Sequence, residues 1–154
     1  MFNFNIVTLF ILLGLVHTKA MAQENCLTYL ELEQEYQCGS KGYLLGYGHH
    51  YCKRFTNKNI DRFTPEGQLF LIKNAQCLQD KLKQFTELNP TASCQSIKDY
   101  AIKTHMTCYQ TSGFCGLRNY DKLSVLAIIR SEVKYRYVRQ MASQILRFCR
   151  HNKK

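Results

Sequence analysis

The sequence predicts an all-α fold, a single disulfide-stapled bundle of about four to five helices. Three observations carry this. Eight cysteines, an even number, follow an apolar leader-like segment, and an exported chain keeps such thiols oxidised in pairs. Only two prolines, Pro65 and Pro90, interrupt the chain. Apolar side chains recur mostly at steps of three and four, the period of a helix face.

In chain order, residues 6–16 form an uncharged apolar run, shorter than the ~20 residues needed to span a bilayer but suited to a signal peptide. Ala20-Met21-Ala22 supplies the small-x-small pattern for cleavage before Gln23. The expected division is therefore 1–22 signal peptide and 23–154 helical domain, the latter 154 − 22 = 132 residues long. Residues 24–37 place Leu27, Leu30 and Tyr36 near one face of a short helix. Residues 38–59 contain Gly39, Gly42, Gly46 and Gly48 and read as a turn-rich segment clamped by cysteines. Thr64-Pro65-Glu66 is a helix start, with Thr as cap, Pro at the first position and Glu at the positive end.

From there Leu71, Ala75, Leu78, Leu82 and Phe85 make a core stripe, and the helix should end before Asn89-Pro90. Ser93 can cap a third helix, with Ile97, Ala101 and Cys108 on one side. A glycine-containing loop over 110–120 follows. Asp121 can cap a final run to Cys149 that has no Gly or Pro, with Leu126, Ile129, Val133, Tyr137, Met141 and Ile145 as its apolar face.

Removing Lys19 with the leader leaves 20 basic and 11 acidic residues, a net charge of 20 − 11 = +9. Such a charge favours acidic partners: sulfated glycans, anionic lipid or an acidic protein face. Nucleic acid is not an expected partner outside the cell. The cysteines contain no C-x-x-C pair, which excludes zinc-ribbon and thioredoxin-type sites. Eight cysteines allow 105 pairings, and spacing alone does not choose among them.

Ordered motifs narrow the reading. Cys52-Lys53-Arg54-Phe55 is followed by FTPEGQLFLIKNAQC, in which Phe63, Gly67, Phe70 and Cys77 stand at characteristic positions. Cys94, Cys108-Tyr109 and Cys115 come next, and a basic aromatic segment, YRYVRQMASQILRFC, ends at Cys149. Together these resemble the stanniocalcins, a family of secreted helical hormones first associated with calcium and phosphate balance. The resemblance covers essentially the whole of 23–154.

The resemblance implies a non-enzymatic, hormone-like regulator that uses no cofactor and acts through a cell-surface receptor or secreted protein partner. Some relatives restrain secreted metalloproteinases, an alternative role. It also implies the pairs Cys38–Cys52, Cys77–Cys108 and Cys115–Cys149. Two further family cysteines are absent here, which leaves Cys26 and Cys94 without their family mates. The expectation is that these two pair with each other. The chain stops soon after Cys149 and lacks the family's subunit-bridging cysteine, so no disulfide-linked dimer is expected. A non-covalent homodimer through Tyr135, Tyr137 and Met141 stays open. No Asn-x-Ser/Thr sequon occurs, because Pro90 blocks Asn89-Pro90-Thr91.

The implied Cys115–Cys149 pair conflicts with one straight terminal helix. Residues 122–148 would span ~39 Å at ~1.5 Å per residue. The link from Cys115 to Asp121 reaches at most ~21 Å, whereas disulfide Cα atoms lie within ~7 Å. Either the pairing differs or the run folds back. The expectation is a bend around 130–133, where the family carries a proline.

Two segments invite a chemical reading. Gly46-Tyr47-Gly48-His49-His50-Tyr51-Cys52 resembles the glycine-rich calcium loop of a secreted phospholipase A2. That chemistry needs a His-Asp dipeptide beside paired cysteines, and neither occurs here. Adjacent histidines diverge on most backbones and make a poor metal pair, so a solvated loop is expected. No D-x-D-x-D-G loop is present, and no metal site is expected. His105 reads as a structural side chain within the third helix.

The terminal run sets Arg130, Lys134, Arg136, Arg139, Arg147, Arg150, Lys153 and Lys154 against the lone acid Glu132. Arg136 with Arg139, and Arg147 with Arg150, pair on neighbouring turns and could bridge to sulfated glycan or an anionic membrane. A solvated helix face opposite a core stripe accounts for them equally well.

Overall fold

Thr64 starts the longest helix as its sequence dictates. Its hydroxyl accepts from the Gly67 amide at 3.2 Å, and Pro65 occupies the first turn, where a missing N–H costs nothing. The computed structural model describes residues 26–151; the leader and its cleavage site lie outside them. Among the described residues the elements are α1 (Thr28–Tyr36), α2 (44–58), α3 (Pro65–Leu88), α4 (Cys94–Thr111), α5 (Asn119–Ile128) and α6 (Arg136–His151). α2 combines a π-helical stretch, Leu44–His49, an α-helical turn, His50–Lys53, and a second π-helical stretch, Arg54–Lys58. Single 3₁₀ turns follow at Ile60–Arg62 and Phe114–Gly116. No strand occurs among the described residues, and the protein is an all-α fold stapled by four disulfides.

The helices form three antiparallel hairpins. α3 and α4 are the spine, joined by a short turn after Leu88 and begun again by Ser93, whose hydroxyl accepts from the Ser96 amide at 3.1 Å. The distal half of the spine, with Ala75, Leu82, Ile97 and Ala101, receives the α1–α2 hairpin through Tyr29, Leu32, Tyr43 and Leu44. The proximal half, with Phe70 and Leu71, receives α5 and α6 through Val125, Ile128 and Ile145, together with Phe114 from the connecting turn. Each half thus buries one face of a two-helix unit that could not bury that face alone.

The glycine-rich segment is helical, not turn-rich, and the reason is packing. A Cβ on Gly48 would lie 2.5 Å from the Tyr29 ring. Gly48 therefore serves close approach of α2 to α1, a use of glycine that its sequence does not separate from a turn. The turn itself is confined to 37–42, where Gln37 and Gly39 take positive φ, 49° and 82°.

Two faces differ from the expected ones. On α1 the buried side chains are Tyr29 and Leu32, while Leu27 precedes the helix and is exposed. On α5 the buried stripe is Asp121, Val125 and Ile128; Leu126, and Val133 beyond the helix, are exposed. Both shifts follow from docking, which selects one face of a helix whose apolar residues surround more than half of it. Asp121 is not a cap. It lies inside α5, fully buried, and its carboxylate accepts from the Thr64 amide at 2.9 Å and the Thr64 hydroxyl at 2.7 Å.

The terminal run does fold back, over 129–135, through successive turns closed by Glu132 N–H to Ile129 C=O and Tyr135 N–H to Glu132 C=O. That break lets Cys115 meet Cys149 with Cα atoms 5.1 Å apart. Cys77–Cys108 also forms, joining α3 to α4 at 5.6 Å. The other two pairs are corrected. Cys38–Cys52 and Cys26–Cys94 do not form; the bonds are Cys26–Cys52 and Cys38–Cys94, with Cα separations of 5.9 and 5.5 Å. α1 and α2 run antiparallel about Gly39, which carries Cys26 and Cys52 to the open end of that hairpin. Cys38, at its closed end, reaches across to the first residue of α4.

Candidate functional site

α6 gathers the four predicted arginines. Because one uninterrupted helix carries Arg136, Arg139, Arg147 and Arg150, they fall within about 80° of arc and extend over ~21 Å. All four are exposed, and α6 contains no acidic residue. Its opposite face, Val138, Ile145 and Cys149, is buried. Arg139 also acts locally, because its guanidinium donates to the carbonyls of Val133 and Lys134 and so holds the turn before α6.

A second feature is not apparent from the sequence. α2, the start of α4 and the 131–137 turn enclose a cleft of about 760 Å³. The α2 wall carries two neighbouring rows at four-residue spacing, Tyr43-Tyr47-Tyr51 and Gly46-His50-Arg54. Residues four apart lie on the same side of a helix, so the members of each row face the cleft together. Tyr43 and Tyr47 stack with centroids 5.6 Å apart, Tyr47 meets Tyr51 at 4.8 Å, and Arg54 lies 5.3 Å above the Tyr51 ring. The opposing turn contributes Tyr135 stacked on Tyr137 at 5.8 Å.

The Tyr51 hydroxyl donates to the Glu132 carboxylate at 2.7 Å and lies 3.2 Å from the Ser131 hydroxyl, which ties α2 to the turn. Burial raises the hydroxyl pKa values of Tyr43 and Tyr47, with neighbouring phenols and, for Tyr47, Glu132 adding to the effect. These phenols are therefore neutral hydrogen-bonding groups at physiological pH. The four-residue recurrence of tyrosine from Tyr43 is the signal the sequence offers, obscured by the glycines between.

The histidine pair lies in α2, not in a solvated loop. His50 is exposed on the cleft wall, edge-on to Tyr51 at 5.0 Å. His49 points elsewhere, and burial, Lys53 and His50 lower its pKa. His105 is a core residue, as expected: its Nδ1 lies 2.7 Å from the Ala101 carbonyl, and burial lowers its pKa. Among the described residues no three His, Cys, Asp or Glu side chains converge on a metal position. All eight cysteines are bonded within the chain, leaving none to bridge a second copy. Of the expected dimer contacts only Tyr135 is exposed; Tyr137 lines the cleft and Met141 packs on the core. No described helix is long and apolar enough to cross a membrane. Comparison with protein-family models, curated proteins and solved structures finds no match to the chain in any of the three.

Proposed function

We propose that this chain is an exported, non-enzymatic regulatory protein of the stanniocalcin type, acting through a protein partner in calcium and phosphate balance. The observation that carries the reading is that two of the three disulfides the resemblance implies are present, although Cys38–Cys52 is not. Cys77–Cys108 and Cys115–Cys149 join the helices that the resemblance implies, and the chain folds back at 129–135 to permit the second bond. The test applies purified, disulfide-intact protein to epithelial monolayers and follows tracer calcium and phosphate uptake. Uptake should change relative to reduced and alkylated protein; unchanged uptake of both ions rejects the reading. Inhibition of a secreted metalloproteinase by the same preparation would assign the alternative role.

A second reading is favoured by the exposed arginine row of α6. Four cations on one face, with no acid on the helix, suit the spaced oxyanions of a sulfated glycan. Elution from heparin well above physiological salt supports a dedicated face, whereas release near physiological salt reduces it to ordinary basicity.

A further inference from the structure

We propose that the tyrosine-walled cleft between α2, α4 and the 131–137 turn binds a sulfated saccharide unit. The site goes beyond the regulatory reading and is separate from the arginine row of α6. Its volume, about 760 Å³, falls within the range of small-ligand sites, roughly 300–1,000 Å³. Its chemistry selects the ligand class. Exposed Tyr135 and the half-buried Tyr47 and Tyr137 offer ring surface and hydroxyls to the cleft, with Ile102 its one aliphatic residue, while Tyr43 and Tyr51 are buried behind them and the Tyr51 hydroxyl is bonded to Glu132. A saccharide ring supplies the matching surface, a C–H face to lie on the rings and hydroxyls to bond the phenols.

Charge then specifies the substituent. Lys41, Arg54 and Lys98 line the cleft against a single carboxylate, Glu132, which already accepts hydrogen bonds from Tyr51 and Ser131. Three basic side chains from separate parts of the chain line the same space, and the His50 ring joins them. A concave, partly apolar surface with an excess of positive charge strengthens attraction for an anion and weakens it for a cation. This excludes an ammonium ligand despite the aromatic walls. An oxyanion on a ring satisfies both halves of the site, through charge-assisted bonds to the cations and contact with the tyrosines.

Lys41, Lys98 and Tyr135 are exposed and can be replaced with little risk to the fold. The experiment titrates a heparin-derived tetrasaccharide into the intact protein by calorimetry, at near-physiological ionic strength. Lys41→Ala with Lys98→Ala should weaken binding about tenfold or more. Tyr135→Ala should also weaken it, and both losses should persist in a chain already carrying Arg147→Ala with Arg150→Ala, while Lys73→Ala with Lys83→Ala, exposed on α3 outside the cleft, should leave binding unchanged. The desulfated tetrasaccharide should not bind. Circular dichroism of each variant establishes that its helices are intact.

Any of four results overturns the proposal: no binding by the wild-type protein, equal binding of the desulfated sugar, loss confined to the α6 variants, or equal competition by free inorganic sulfate. Stronger competition by a sulfotyrosine peptide would replace the saccharide with a protein ligand. None of these outcomes bears on the ion-uptake test, so the two readings fail separately.

Discussion

Asp121 shows how one side chain fixes the position of a helix. Its buried carboxylate holds the backbone and hydroxyl of Thr64, and that hydroxyl in turn accepts from the Gly67 amide. A Cβ on Gly67 would lie 2.5 Å from the carboxylate oxygen, so only glycine admits Asp121 there. Gly67→Ala should therefore lower stability by about 1–3 kcal/mol by overpacking. Thr64→Val keeps the shape but removes the cap and one partner of a buried acid, and should cost about 2–4 kcal/mol. Urea unfolding with the disulfides intact measures both; no change for Gly67→Ala would refute the contact.

His105 gives the pH dependence. Burial lowers its pKa in the folded state, so the unfolded chain takes up the proton first. Stability is then complete above the ordinary histidine range and falls as pH drops through it, by at most ~1.4 kcal/mol per pH unit for one group. His105→Gln should flatten the fall in thermal-unfolding midpoint that begins near the ordinary histidine value of ~6.5 and continues below it. His49, lowered by burial and by Lys53 and His50, contributes with the same sign. An equally steep profile in the variant would exclude His105 as the source.

At the scale of elements, the disulfides obey a hairpin rule. Gly39 is thirteen residues from both Cys26 and Cys52, and Glu132 is seventeen from both Cys115 and Cys149. The midpoint of Cys77 and Cys108 falls between Ala92 and Ser93, in the α3–α4 turn. Segments that run antiparallel from a turn bring cysteines equidistant from it close to level. Cys38–Cys94 is the bond that breaks the pattern, tying the closed end of the first hairpin to the spine. Cys26→Ala should therefore expose a thiol at Cys52 and not at Cys94, as labelling and peptide mass spectrometry will show. The lost 26-residue closure corresponds to ~3.5 kcal/mol in the loop-entropy model. Of the three turns, the one at Pro90 is legible in the sequence; the one about Gly39 is lost within a segment that reads as turn-rich throughout, and the fold-back near Glu132 follows only from the Cys115–Cys149 pair that the resemblance implies. The Cys26–Cys52 pair is hidden because Gly48, a packing glycine, has the local appearance of a turn glycine.

For the whole molecule, internal pairing of every cysteine has a direct consequence. The protein should run as a monomer on non-reducing denaturing gels, and a dimer band lost on reduction would contradict the four bonds. Non-covalent self-association is a separate matter. Exposed Leu123, Leu126 and Leu146 stand on α5 and α6, beside Tyr120. Sedimentation at micromolar concentration, repeated with Leu126→Ser, tests whether that face joins two copies; a concentration-independent monomer in both would reject it.

The helix starts at Thr64 and Ser93 and the buried stripe of α3 were set by local sequence, because caps and periodicity act over a few residues, whereas the fold-back near residue 132 was expected only from the Cys115–Cys149 pair that the resemblance implies. The α-helical class followed from the same short-range terms. Only tertiary structure decided the rest: which face of α1 and α5 is buried, the helical state of 44–58, the role of Asp121, and the meeting of Tyr43, Tyr47 and Tyr51 with Tyr135 and Lys98 across the cleft. Each of these depends on a contact between residues far apart in sequence. Gly48 against Tyr29 and Gly67 against Asp121 have no counterpart in any window short enough to read along the chain.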